Sequence, residues 1–101
     1  MNYYNTTHLS DEDLLKEIAN AKGQDEKILI YFKNHQANYF TPSEILEKVF
    51  ENSVPITSVR RSITNLTDGK RLVKTFKQKK GLYGKLNYCW KYNVFYGLQE
   101  I

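Results

Sequence analysis

Residues 55–92, PITSVRRSITNLTDGKRLVKTFKQKKGLYGKLNYCWKY, decide the fold. Ile56, Val59, Ile63 and Leu66 recur at the spacing of one helix face. At about 100° per residue, the opposite side carries Thr57, Arg61, Thr64, Asn65 and Asp68, with Ser58 and Arg60 on its flanks. The spacing therefore predicts a short helix that buries one side and shows a row of hydrogen-bonding groups on the other. Asp68-Gly69 turns the chain. Leu72 to Phe76 is β-branched and aromatic and predicts a strand, and KQKKGLYG (77–84) reads as a loop. Leu86, Tyr88, Trp90 and Tyr92 then alternate with Lys85, Asn87, Cys89 and Lys91. This period of two predicts a second strand with its aromatic set in the core and Cys89 on the exposed side.

Working outward, Thr41-Pro42-Ser43-Glu44 is a capping box with proline at the first helical position. Ile45, Leu46, Val49 and Phe50 follow on one face, and Asn52-Ser53 ends this helix. Two short helices joined by a tight turn form a helix-turn-helix unit. Before it, DEKILIYFKNHQ, starting at Gln24 or Asp25, predicts a helix whose Ile28, Leu29, Tyr31 and Phe32 cross the core. Tyr39-Phe40 is placed to pair, extended, with the later hairpin. Ser10 reads as an N-cap for a short acidic helix carrying Leu14, Leu15 and Ile18, ended by Gly23. That helix either packs on the domain or joins a second copy. The expected organisation is an arm and short helix over 1–23, a compact domain over 24–92 and an apolar tail over 93–101.

The 101 residues suit one small domain, 41% apolar. The single Cys89 excludes an internal disulfide and a multi-cysteine metal site. His8 and His35 have no ligand-spaced partner and read as surface or helix-end residues, so neither a metal nor a cofactor is expected. With no long apolar run, a cytoplasmic chain without a membrane segment is expected. No nucleophile–base pair, paired carboxylates or phosphate loop appears, which speaks against an enzyme. Charge is segregated. Residues 1–69 carry seven basic and ten acidic side chains, a balance of −3. Residues 70–101 carry eight basic and one acidic, a balance of +7, and such a field attracts an anionic polymer from one side.

The order of DEKILIYFKNH, FTPSEILEKV and ITSVRRSITNLTDGKRLVKT resembles the winged-helix (winged helix-turn-helix) superfamily of bacterial and phage type. The resemblance covers 24–92. It implies an α+β, mainly α fold: a three-helix core plus a C-terminal β-hairpin wing, here with an extra N-terminal helix. It places the base-reading helix on 57–67 and the wing on Phe76 to Lys85. Ser62 fits the small residue that usually follows the two arginines. No residue points to an effector pocket or a metal sensor.

The function this implies is double-stranded DNA binding, as a small transcriptional regulator. The expected contacts are Thr57, Ser58, Arg60, Arg61, Thr64 and Asn65 on the helix and Lys70, Lys77, Lys79, Lys80 and Lys85 around the wing. Thr41 and Ser43, at the start of the TPSE helix, are expected at a phosphate. Tyr83 at the loop tip is expected against a sugar. The arginines could instead pair with Glu44, Glu47 or Asp68. Lys91 could lower the Cys89 thiol pKa. The alternative function is a protein–protein interaction module in a replication or phage-related assembly. One helix reads few base pairs, so a homodimer is expected, through the segments from Leu9 to Lys22 and from Val94 to Ile101.

Overall fold

A computed structural model describes residues 10–81 and 84–95. Four helices precede a two-stranded antiparallel hairpin: α1 Asp11–Asn20, α2 Gln24–Lys33, α3 Pro42–Phe50, α4 Ile56–Asp68, β1 Leu72–Lys80 and β2 Leu86–Tyr92. This is the expected three-helix core with a hairpin behind it and an extra helix in front. The arm before residue 10, Tyr83 and the tail beyond residue 95 lie outside the described residues.

The core forms where the helix stripes meet the hairpin base. Ile28, Phe32, Phe40, Ile45, Val59, Ile63, Leu66, Leu72 and Tyr92 make one buried cluster. Phe32 meets Phe40 edge to face at 5.5 Å between centroids, a geometry that aromatic quadrupoles favour. At α3 the capping box is complete. The Thr41 hydroxyl accepts from the Glu44 amide at 3.2 Å, and the Thr41 amide donates to the Glu44 carboxylate at 2.9 Å. After α3, Glu51 and Asn52 both take left-handed backbone, which closes the helix and aims the chain into α4.

Phe40 is the expected extended residue. Its amide donates to the Trp90 carbonyl at 2.9 Å, and the Trp90 amide donates back at 2.8 Å. β2 thus lies between β1 and Phe40 and is tied to the helices through them.

Several boundaries differ from expectation. α1 ends at Asn20 with Ala21 as its cap, and Gly23 is the N-cap of α2 rather than the end of α1. α2 stops at Lys33, and His35 closes the turn by donating its Nδ1–H to the Tyr31 carbonyl at 2.8 Å. α1 packs on α2 through buried Leu14 and Ile18. The Lys27 ammonium also donates to the Ile18 carbonyl at 2.9 Å. Val94, expected at a subunit contact, packs against the core.

The hairpin corrects two readings. KQKK (77–80) is strand, not loop, because Gln78, Lys79 and Lys80 pair with Tyr88, Asn87 and Leu86. Cross-strand pairing overrides the low strand preference of lysine and glutamine. The inside–outside assignment of β2 holds for Tyr92, in the core, and Trp90, packed against it, but fails for the rest of the strand. Cys89 is fully buried, whereas Leu86 and Tyr88, expected in the core, are 61% and 42% exposed. The register shifts between Lys74 and Gln78, leaving Thr75, Phe76 and Lys77 opposite Cys89 alone. The two surplus residues of β1 interrupt the ladder there, and beyond them Lys79 still reaches the start of α3. Phe76, at the middle of the bulge, is 98% exposed.

Burial pushes the Cys89 thiol pKa up. Lys79 and Lys77 pull it down more weakly, and Glu44 adds to the rise. The thiol is therefore raised and not lowered, and Lys91 is not among the groups that move it.

Replacing Ile63 by alanine is expected to cost about 2–5 kcal/mol, and Thr41 by alanine about 1 kcal/mol, both read from urea midpoints. Cys89 is expected to stay unlabelled by a thiol reagent until the chain opens. Its contribution to stability is fully present below the ordinary thiol range and is lost as pH rises above it, because the unfolded thiol ionises first. Cys89→Ala should flatten that alkaline decline.

Candidate nucleic-acid interface

Burial of Val59, Ser62, Ile63 and Leu66 fixes the rotation of α4 about its axis. Thr57, Arg60, Arg61, Thr64 and Asn65 therefore stand exposed on its outward side, with Ser58 half-buried at the flank. Arg60 and Arg61 form no ion pair with any described residue, so the pairings with Glu44, Glu47 or Asp68 do not occur. Two free guanidiniums, a carboxamide and two hydroxyls thus share one helix side. That set can fork onto guanine, bridge an adenine edge or donate to phosphate oxygens.

The wing lysines divide by environment. Lys80 and Lys85 are exposed near the tip, which the Gly81 amide closes by donating to the Lys85 carbonyl at 2.7 Å. Gly84 takes φ +78 there, a conformation side chains disfavour. Lys70 is exposed just past α4, in left-handed backbone at φ 64. Lys77 and Lys91 flank the Tyr39 ring, at 5.6 and 5.4 Å from its centroid. Lys79 is already engaged. Its ammonium donates to the Tyr39 carbonyl at 2.8 Å and lies 3.3 Å from the Glu44 carboxylate. It ties β1 to the start of α3.

The start of α3 differs from a simple phosphate cradle. Thr41 is 2% exposed, and its hydroxyl and amide are both held by Glu44. It is withdrawn from direct phosphate contact. Ser43 remains half-exposed, on the rim of a depression shared with Glu44, Glu47 and Lys80. A carboxylate thus sits where a phosphate was expected, with Lys79 upon it.

A second feature went unread in the sequence. An open groove of about 310 Å³ runs between α4 and β2. Pro42, Ile63, Leu86 and the rings of Tyr88 and Trp90 form its walls. Arg60, Thr64 and Asn87 supply its polar groups. The Lys74 ammonium lies 4.5 Å from the Tyr88 ring centroid and 5.6 Å from that of Trp90. Period-two alternation put Tyr88 in the core, so the sequence carried no signal for the groove. Among the described residues there is no cluster able to hold a metal ion and no helix long and apolar enough to cross a membrane.

No protein-family model and no curated protein matches the chain. Among solved structures the chain is similar to a protein of Methanosarcina mazei Go1 described as a possible transcriptional regulator. The TM-score is 0.61 at 17% identity, over 91% of this chain and 72% of that one. At that identity the likeness is one of fold. The chain is a mainly helical α+β protein with the helices-then-hairpin layout of a winged helix.

Proposed function

We propose that the chain binds duplex DNA, with α4 in the major groove and the wing along the backbone, and that it acts as a small transcriptional regulator. The observation that carries this reading is the outward side of α4. It presents Arg60, Arg61, Thr64 and Asn65 to solvent with neither arginine paired to a described residue, beside a lysine-rich hairpin. A solvated helix face that served only solubility would gain from compensating carboxylates, and this one lacks them until Asp68. The structural likeness to a protein described as a possible transcriptional regulator supports the same reading.

In this reading Arg61 forks onto a guanine, and Asn65, one turn later, bridges an adenine. Thr57, Ser58 and Thr64 donate to phosphates or touch a thymine methyl. Arg60, at the groove lip, reaches a phosphate. Lys70, Lys77, Lys80 and Lys85 follow the backbone, and Ser43 adds one hydroxyl. Lys79 acts at one remove, by holding the wing against α3. The protein is then a binding protein and not an enzyme, and its partner is double-stranded DNA.

Duplex selection from a random pool, followed by titration across salt, tests the reading. About four to six phosphate contacts give a log–log salt slope near −4 to −5. Arg61→Ala and Asn65→Ala should each weaken the selected site by about 1–3 kcal/mol and relax one base position, with the helical spectrum unchanged. Lys80→Gln with Lys85→Gln should weaken all sequences alike and shallow the slope by about 2. Binding that ignores salt, or alanine variants that bind as the parent does, would remove DNA as the partner.

A further inference from the structure

We propose that the groove between α4 and β2 binds a small planar aromatic ring carrying an anionic group. Its volume of about 310 Å³ lies at the lower end of small-molecule sites, which suits one or two rings rather than a peptide. Its walls are the two rings of Tyr88 and Trp90 with Ile63, Pro42 and Leu86. The partial exposure of Tyr88 and Leu86, 42% and 61%, leaves this apolar surface uncovered. A flat ring set against such walls gains the stacking and burial that these exposed side chains lack.

The charge requirement comes from the rim. Arg60 lines the groove and forms no ion pair with a described residue. Lys74, not itself a lining residue, holds its ammonium within 6 Å of the Tyr88 and Trp90 ring centroids and adds positive charge beside the groove. Among the described residues no carboxylate lines the groove, while the Asn87 amide and Thr64 hydroxyl can complete the hydrogen bonds of an anionic head. A cationic rim over an aromatic floor selects an anion with a ring. A neutral ring leaves the rim unmatched, and an aliphatic acid leaves the floor unmatched. The same chemistry could arrive as a free aromatic carboxylate or as a nucleotide whose base is out of its stack.

Arg60 and Thr64 belong both to this groove and to the face assigned to DNA. An occupant therefore competes with the duplex for those two side chains, and the coupling is reciprocal. That competition rests on the DNA reading. Binding in the groove does not.

Trp90 is the chain's only tryptophan, so its selectively excited emission reports the groove directly. The full chain, without DNA, is titrated with 1-naphthoate, thymidine monophosphate, 1-naphthalenemethanol and cyclohexanecarboxylate, with calorimetry as the second readout. Saturable binding below about 1 mM is expected for at least one of the planar anions, and binding at least about tenfold weaker for the neutral ring and the aliphatic acid. Response to naphthoate alone assigns a free aromatic acid, and response to the nucleotide alone assigns a nucleic-acid source. Arg60→Gln and Tyr88→Leu should each weaken binding at least about tenfold, with thermal unfolding showing that both variants fold. Absence of saturation for both planar anions, equal binding of the neutral ring, or parental affinity in both variants would overturn the proposal. Because no DNA is present, these outcomes are separate from failure of the DNA reading.

Discussion

The removal of Val59, Ile63 and Leu66 from water is the constraint on which this molecule depends. Val59 is fully buried, Ile63 is 1% exposed and Leu66 8%, among Ile28, Phe32, Ile45, Leu72 and Tyr92. Each such side chain favours the interior by about 1.5–3 kcal/mol. Turning α4 about its axis would expose that stripe and bury two guanidiniums, at a cost no surface interaction could offset. The direction in which Arg61 and Asn65 point is therefore a consequence of what lies beneath them.

The wing is positioned by different physics. A two-stranded hairpin is marginal alone in water. Here its base shares Leu72 and Tyr92 with the core, and paired bonds between Phe40 and Trp90 hold its middle. Lys79 then reaches across to Glu44 and the Tyr39 carbonyl. Being exposed, this ion pair adds little to global stability, but it has geometric content because it fixes the hairpin against the start of α3. The same contact neutralises the carboxylate at that helix end. Among the described residues no other wing lysine pairs with a carboxylate, so their positive charge is left uncompensated.

The bulge between Lys74 and Gln78 joins these features to function. Opposite it Cys89 is fully buried, while Tyr88 and Leu86 further along β2 stay partly exposed. In the proposed reading Arg60 serves a polymer on one side and a small anion on the other. Such sharing would let a ligand tune DNA affinity by direct competition, without a conformational change.

Local chemistry was enough, from the sequence, to place the capping box at Thr41 and Glu44, the N-cap at Ser10, the stripe of α4 and the pairing of Phe40. Each depends on residues a few positions apart and on rules of short range. The polar row of α4 was legible for the same reason, since one buried face determines its opposite. The length of β1, the burial of Cys89 and the exposure of Tyr88 were not legible. They depend on cross-strand pairing, on a two-residue surplus in β1 and on packing against the helices, which alternation along a single strand cannot express. The engagement of Lys79 with Glu44, 35 positions away, was likewise decided only when folding brought the wing to α3. The groove belongs to that second class, because its walls come from α3, α4 and β2 and exist only once the three are packed.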